Sequence, residues 1–317
     1  MLKLFNIEGG VIREISSSTD QLGEYLPKAD WIDAHEPDEH ERQLLERMLH
    51  TDIPESDEVE EIEASARCFV DQAGVHVHSL FLAQSEGRHQ TVNVACILQK
   101  ERLITIREGD LADFRLLRMR ARKGQVEAKS PQELLVTLLE QKVENHADTL
   151  EDLHRQLEQV SYLVLEDEES ELEDAISRLA RLEDSNGKIR LCLMDTQRDI
   201  SFLLRHLRAE PAHAETLREV MRDVETLMSH TTFLFDKINF LMDSTQGFIN
   251  IEQNQIIKIF SIAAVVFLPP TLVASMYGMN FEYMPELKWL LGYPWAICLM
   301  IISGIAPYWY FKRKGWL

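Results

Sequence analysis

Neutral oxygen donors recur at helical spacing near the C-terminal end of the sequence. Thr271 and Ser275 lie four residues apart inside a stretch without charge, and Asn280 follows the end of that stretch. Residues spaced in this way share one face of a helix, where hydroxyl and amide oxygens accept hydrogen bonds without carrying charge. The same spacing is typical of a helix-packing seam with small residues, so a polar path and a helix contact both remain open.

Residues suited to catalysis do not form a recognisable set. His35 and His40 superficially match a zinc-binding helix, but five residues rotate them by about 140° and Pro37 interrupts the pattern. Residues Val75 to Leu82 alternate like a half-buried strand, and on it His76 and His78 would share one face but have no evident third ligand. The chain also contains no G-x-x-x-x-G-K-[ST] nucleotide-binding loop. The sequence therefore predicts a protein that is not an enzyme and needs no cofactor.

Two long uncharged stretches must position the C-terminal oxygen donors. Among 317 residues, those at 259–276 and 289–311 carry no charge. Helices of these lengths can cross a hydrocarbon core of about 30 Å. A buried hairpin of a soluble protein is the alternative, but soluble helices seldom lack a charged face over such a length. We therefore expect two membrane-spanning helices.

Flanking charges predict the orientation of both spans. Lys258 precedes the first span and residues 312–314 are basic, whereas the intervening loop holds Glu282, Glu286 and a single lysine. Because positive residues stay in the cytoplasm, both termini are expected there. No cleaved signal peptide is evident at residues 1–10, and the four cysteines include no C-x-x-C pair, which suits a reducing compartment.

The net charge is concentrated in the first four-fifths of the chain. The whole chain carries a formal charge of −20, and residues 252–317 carry five basic and three acidic side chains, a sum of +2. Subtracting +2 from −20 leaves −22 on residues 1–251. A field of this sign repels nucleic acid and attracts cations. We therefore expect no nucleic-acid partner.

Patterning divides the chain into a compact part and a helical part. Residues 1–128 alternate strand-like and helix-like segments, so a cytosolic α/β domain is expected there. Ser130 and Glu133 form a capping box, and beyond it apolar residues recur every seven positions, typical of a coiled-coil-like seam. From Pro211 no strong breaker occurs before Pro269, so a helix is expected to continue into the first span. The expected segments are a long-helix stalk at 129–255, a first span at 256–279, a loop at 280–291, a second span at 292–311 and a basic tail at 312–317.

The residues at the end of the first span carry a family resemblance. Tyr277-Gly278-Met279-Asn280 resembles the signature of the CorA family of magnesium channels, whose members have two C-terminal spans. Residues 281–287 resemble that family's external loop, and residues 310–314 resemble its basic end. Residues 190–198 and 249–261 resemble its proteobacterial magnesium branch. The resemblance covers essentially the whole chain.

The resemblance implies a funnel-shaped homopentamer in the bacterial inner membrane that conducts Mg²⁺ inward down its electrochemical gradient. Co²⁺ and Ni²⁺ are implied as further cargo, and the implied partners are the lipid bilayer and other copies of the chain. Because Mg²⁺ sheds water reluctantly, a ring of Asn280 amides is expected to select the hydrated ion, next to Gly278 and Met279. Glu282 and Glu286 fall in the external loop. The implied pore-lining residues are Asn254, Ile257, Phe260, Ala264, Leu268, Thr271 and Ser275.

The resemblance also implies regulation by the transported ion. Asp243 corresponds to an acidic position at the cytoplasmic mouth, and cytosolic Mg²⁺ that prefers the closed state would limit its own entry. The sequence does not define which other carboxylates sense Mg²⁺. Two other functions remain open, namely the zinc transporter branch that shares Gly-Met-Asn and a membrane-anchored scaffold assembled through the heptad seam. The loop Met284-Pro285-Glu286-Leu287 favours the magnesium branch.

Overall fold

The protein consists of two compact units, residues Met1–Met242 and Asp243–Leu317. The structure is a computed structural model that describes residues 1–15, 22–49, 67–85, 87–126, 128–166, 172–206, 211–280 and 284–315. The predicted external-loop residue Glu282 lies outside these ranges. Each unit is described by itself below.

A seven-stranded mixed sheet forms the N-terminal part of the first unit. Its strand order is β2-β1-β3-β7-β6-β5-β4. Strands β3 and β7 pair in parallel, and every other neighbouring pair is antiparallel. The strands are β1 (Leu2–Glu8), β2 (Val11–Ile15), β3 (Trp31–His35), β4 (Cys68–Val70), β5 (Val75–Ser85), β6 (Arg88–Leu98) and β7 (Leu103–Arg107).

Helices cover both faces of this sheet. Trp31 and Ile32 are neighbours on β3 but belong to two different hydrophobic cores, as expected when successive side chains point to opposite faces. One core contains residues of α1 (Leu22–Tyr25), the following 3₁₀ turn (Leu26–Lys28) and α2 (Glu39–Leu49). The other contains residues of α3 (Ala112–Arg122) and of the long helices. The α/β fold expected from the sequence is confirmed.

The exposure of β5 differs from the sequence expectation. The alternation of polar and apolar residues that begins at Val75 predicts a strand with one solvent-exposed face, yet every residue from His76 to Leu82 is buried. The reason is that Ser79 bonds Lys142 and Asp199 of the long helices, whereas the rings of His76 and His78 lie against Phe69 of β4. The histidines and Ser79 therefore lie inside the protein.

Three long helices follow the sheet. They are α4 (Pro131–Leu165), α5 (Leu172–His206) and α6 (Pro211–Tyr277), and α6 continues without interruption from the first unit into the second. The N-cap at Ser130 is confirmed, since the Glu133 amide donates to Ser130 Oγ at 3.2 Å, whereas the Glu133 carboxylate accepts from the Lys129 amide at 2.6 Å, one residue before the amide that a capping box predicts. The heptad residues of α4 are all buried: Leu139, Val143, Leu150, Leu153, Leu157, Val160 and Val164.

A buried network of charged groups joins β5 to α4 and α5. The Lys142 ammonium is fully buried and donates to Ser79 Oγ at 2.7 Å, and the Ser79 hydroxyl donates in turn to the Asp199 carboxylate. Asp195 accepts from the Leu80 backbone amide at 2.6 Å. Burial raises the pKa of Asp199, and the Lys142 charge opposes that rise. Hydrogen bonds of this kind fix how the two helices lie on the sheet, because an unpaired buried charge is costly.

The second unit contains the end of α6 and a second apolar helix, α7 (Gly292–Arg313). Gly304 marks their close approach, because a Cβ atom placed there would lie 3.2 Å from Pro270 Cγ and 3.6 Å from the Val266 carbonyl oxygen. The half-buried residues of α6 in this region form one stripe: Ile262, Ala263, Val266, Pro269, Pro270, Val273 and Tyr277. This stripe is the face of α6 that packs against α7.

The two adjacent prolines belong to this packed face. Pro269 and Pro270 lie inside α6 and have no amide hydrogen for the carbonyls of Val265 and Val266. The Val266 carbonyl oxygen lies close to α7 at Gly304, and a close helix contact of this kind shields a carbonyl from lipid. Adjacent prolines in such a helix can face permeating water, form a hinge or kink a packed helix, and the half-buried position of this pair favours packing.

Asp113 provides a test of burial in the first unit. Burial raises the pKa of its carboxyl from 3.8 to about 6, and Oδ2 has no hydrogen-bond partner within the described residues. A raised carboxyl pKa favours the protonated form in the folded state, so its contribution to stability is present below pH 3.8 and lost as the pH rises through 6. Asp113→Asn should therefore increase the free energy of unfolding by up to about 3 kcal/mol at pH 7 and by under about 1 kcal/mol at pH 4.

Thermal unfolding of the full chain in detergent at both pH values measures this difference. The matched control is Asp110→Asn, which changes an exposed carboxylate paired with Arg115 and should alter stability little at either pH. An equal gain at pH 7 and pH 4 for Asp113→Asn would contradict the burial argument.

Gly304→Val tests the contact between α6 and α7. A Cβ atom there would already lie 3.2 Å from Pro270 Cγ, and the two methyl groups of valine need further room, so we expect the helices to shift apart at a cost of about 1–3 kcal/mol. The measurement is thermal stability in detergent. Ala306→Val adds a comparable volume at an exposed position of α7 and should leave the melting temperature unchanged. Equal melting temperatures for both variants and the unchanged chain would show that the contact is not close.

Candidate functional site

The Gly-Met-Asn segment begins where α6 ends. The helix ends at Tyr277, and the Gly278 amide still donates to the Ala274 carbonyl at 2.9 Å, whereas the Met279 amide turns to the Met276 carbonyl at 3.4 Å. A Cβ atom at Gly278 would lie only 3.1 Å from the Ala274 oxygen, so the glycine permits a close approach to the last helical turn. Asn280 follows outside the helix and is exposed, which leaves its amide available to a ligand.

The predicted pore-lining residues occupy the face of α6 that α7 does not cover. Ile257, Phe260 and Leu268 are 61%, 71% and 65% exposed, and the other predicted lining residues are exposed as well. Leu268 and Pro270 are two residues apart and so point about 200° apart around the helix. The structure thus separates two opposite stripes. The exposed stripe, named the conduction stripe for the role predicted from the sequence, consists of Asn254, Ile257, Phe260, Ala264, Leu268, Thr271, Ser275 and Gly278.

Thr271 has a defined hydrogen-bond polarity. Its hydroxyl donates to the Phe267 carbonyl one turn earlier at 2.7 Å. The hydroxyl proton is therefore already engaged in this hydrogen bond, and Oγ1 can only accept further ones. An acceptor on the exposed face matches the hydrogens that the water shell of a cation directs outward.

Asp243 lies on the same side of α6 as the start of the conduction stripe. Asp243 and Asn254 are both exposed and are eleven residues apart, which is close to three helical turns. Glu252 is also exposed but lies nine residues from Asp243, half a turn around the helix. Of these two carboxylates, only Asp243 can contribute charge at the entrance of the stripe.

The segment between the spans contains a tight turn. Glu286 is half-buried in a 3₁₀ turn (Pro285–Lys288), and its carbonyl accepts from the Trp289 amide at 3.2 Å. A Cβ atom at Gly292 would collide with the Glu286 carbonyl oxygen, so the start of α7 requires glycine. This turn sets α7 next to α6 after a short connection.

The histidine pairs do not form metal sites. His35 ends β3 and His40 lies in α2, so they share no helix. His76 and His78 do share one face of β5, with ring centroids 6.1 Å apart, but the His76 ring bonds Asp71 at 2.9 Å. Burial lowers the pKa of His78 to about 4, so this ring is neutral at physiological pH. Within the described ranges no group of three or more His, Cys, Asp or Glu side chains is arranged to hold a metal ion.

Sequence patterns missed a crowded acidic cavity in the first unit. A cavity of about 250 Å³ between α4 and α6 is lined partly by Glu140, Glu144 and Asp223. Burial, followed by the charges of Glu144, Asp223 and Glu219, raises the pKa of Glu140. Residues 140 and 223 are distant in sequence, so no local signal could have brought them together. Their common field attracts cations to this side of the unit.

Two helices of the described chain, α6 and α7, are long and apolar enough to cross a membrane. The uncharged window of α6 has no buried residue, which distinguishes it from the core helix of a soluble protein. The two spans expected from the sequence therefore lie in helices that the rest of the chain leaves mostly exposed.

Comparison with known proteins gives one consistent family. The CorA family, described as CorA-like Mg²⁺ transporter protein, matches residues 28–313. The chain is 49% identical to the magnesium transport protein CorA of Escherichia coli (strain K12) and 48% identical to that of Salmonella typhimurium, in both cases over the full length of both chains. The complete CorA magnesium transporter structure from Methanocaldococcus jannaschii covers 100% of this chain and 99% of its own, with 19% identity and a TM-score of 0.76.

These matches agree with the fold and with the two apolar helices. The likeness to the archaeal structure confirms the soluble α/β part, the long helices and the two C-terminal apolar helices. Since the family consists of transporters, the expectation that the chain is not an enzyme is confirmed. The chain is a membrane protein and belongs to the CorA-like Mg²⁺ transporter family.

Proposed function

We propose that this chain forms a homopentameric channel in the bacterial inner membrane that conducts Mg²⁺ into the cytoplasm. Both termini lie in the cytoplasm, and Co²⁺ and Ni²⁺ are further cargo. The observation that carries the proposal is the conduction stripe, which stays exposed along α6 and leads to Gly278-Met279-Asn280. The full-length relatives named as magnesium transport proteins support Mg²⁺ over zinc as the main ion.

The exposed stripe supports assembly around a central axis. In a single chain α7 packs on one face of α6 and leaves the opposite face bare, although this face carries the hydroxyls of Thr271 and Ser275. Polar groups inside a bilayer need partners or water. Five copies arranged with α6 inward would turn this face to a water-filled pore, and α7 would then lie towards lipid.

Selection by Asn280 follows from the chemistry of the hydrated ion. Mg²⁺ keeps its water shell, so a ring of neutral amide oxygens can bind it through hydrogen bonds from that water. A ring of carboxylates would bind more strongly and slow the release of the ion. Below this ring Thr271 accepts hydrogen bonds, and Ile257, Phe260 and Leu268 form an apolar constriction that can exclude water in the closed state.

The driving force is the electrochemical gradient. A membrane potential contributes about 2.3 kcal/mol per elementary charge per 100 mV, and thus about twice that for a divalent cation. An inside-negative potential therefore draws Mg²⁺ inward without nucleotide hydrolysis. In the residues that the structure describes, the carboxylates of Asp243 and of the acidic cavity increase the local cation concentration on the cytoplasmic side.

Asn280→Ala should abolish flux while leaving the oligomer intact. Alanine removes the amide that binds the water shell of the ion, so uptake should fall to the level of protein-free vesicles. The measurement is Mg²⁺ uptake into proteoliposomes at zero and at negative internal potential, with the elution volume of the protein checked in parallel. A scaffold function predicts instead that Asn280→Ala changes nothing.

The matched control is Asn93→Ala, the same substitution on strand β6 of the soluble unit. Its uptake should equal that of the unchanged chain. Uptake that persists in Asn280→Ala would refute the role of this ring, and uptake of Zn²⁺ without Mg²⁺ by the unchanged chain would favour the zinc branch.

Asp243→Asn should weaken closure by cytosolic Mg²⁺. Removing a carboxylate from the entrance of the stripe lowers the affinity of the closed state for the ion, so a higher internal Mg²⁺ concentration is needed for half-maximal closure. The measurement is uptake as a function of Mg²⁺ loaded inside the vesicles. Glu252→Gln, on the opposite side of α6, should leave the curve in place. The same curve for Asp243→Asn and the unchanged chain would exclude Asp243 as a sensor.

A further inference from the structure

An apolar groove remains open between the two helices of the second unit. It has a volume of about 520 Å³ and is lined by Ser261, Ile262 and Val265 of α6 and by Phe311 of α7, with Lys258 as its first residue along α6. From Lys258 to Val265 the helix rises by about 10 Å. The apolar wall of the groove is thus as long as several carbon–carbon bonds of an extended chain, and one cation lies at its end.

Unpaired positive charge surrounds this end of the groove. Lys312 and Arg313 directly follow the groove residue Phe311, and Lys314 ends the basic run. Among the residues that the structure describes, neither these three nor Lys258 has an acidic partner, and the Arg313 guanidinium lies 5.5 Å above the ring of Trp309. Four exposed cations at the end of an apolar helix pair form a positive surface that favours an anionic partner.

The charges decide between two occupants of the groove. A second copy of the chain would bring its own Lys258 and basic run to the same level, and its nearest carboxylate along α6, Glu252, lies about 9 Å from Lys258. A phospholipid with an anionic headgroup brings an acyl chain that fits the apolar wall and a phosphate that neutralises the cations. Water cannot fill the groove at low cost, since its wall offers few polar partners.

We propose that this groove binds one acyl chain of an anionic phospholipid of the surrounding bilayer, with its phosphate held by Lys258 and the basic residues after Phe311. The Lys258 stem follows the apolar wall while its ammonium reaches the headgroup level. With the orientation proposed above, the lipid belongs to the cytoplasmic leaflet. None of the groove residues belongs to the conduction stripe, so lipid binding and transport are separate properties of the unit.

Native mass spectrometry of the full chain released from nanodiscs tests the site. The discs contain phosphatidylglycerol and phosphatidylcholine in equal amounts with identical acyl chains. The unchanged chain should retain phosphatidylglycerol preferentially. Lys258→Gln should lower that preference about fivefold, the factor that one cation at an anionic surface contributes. Lys288→Gln removes a lysine at the opposite end of the spans and should leave the preference unchanged.

Variants that fill the groove test its location. Val265→Phe and, independently, Ser261→Leu occupy the apolar wall and should lower the retention of both lipids, whereas Lys258→Gln affects mainly the anionic one. Equal retention of the two lipids by the unchanged chain would overturn the proposal. Equal losses from Lys258→Gln and Lys288→Gln would also overturn it, as would full retention in both groove-filling variants.

The readout is independent of transport. Lost lipid preference with normal Mg²⁺ uptake overturns only the lipid site, and lost uptake with normal lipid retention overturns only the channel.

Discussion

Close packing of Gly304 against Pro270 and Val266 determines which side of α6 remains uncovered. In a bilayer, helices gain little from burying apolar groups, so van der Waals contact at small residues has to hold them together. Here that contact also covers the carbonyl that proline leaves without an amide partner. With this face fixed against α7, the opposite face, with Thr271 and Ser275, is the only large surface of α6 left for a polar path in the described part of the second unit.

The first unit relies on a different kind of interaction, buried charges in hydrogen-bond networks. Lys142 and Asp199 bridge α4, α5 and β5 through Ser79, and the Asp33 carboxylate accepts from Arg107 at 3.2 Å and from Arg118 at 2.6 Å. Such networks add little net stability over apolar packing, but they are strongly disfavoured in any other arrangement. They therefore restrict the sheet and its helices to one packing.

Local signals in the sequence were sufficient to predict the helices and the end of α6. The N-cap at Ser130 and the long helix after Pro211 each depend on neighbouring residues, and both are confirmed. The burial of β5 on both faces could not be predicted, because it depends on helices more than fifty residues away. The same holds for the cavity that joins Glu140 to Asp223 and for the contact that assigns the prolines to α7. Long-range packing leaves no pattern in a single sequence.

The conduction stripe is built entirely from side chains that do not titrate near neutral pH. Amides, hydroxyls and hydrocarbons keep the same protonation state when the environment becomes acidic or alkaline. Protons therefore cannot compete with the cation for the wall of this path, nor change its charge. In the proposed channel, acidic surroundings therefore leave the conducting surface unchanged, and acidity acts on transport through carboxylates and histidines that lie elsewhere in the molecule.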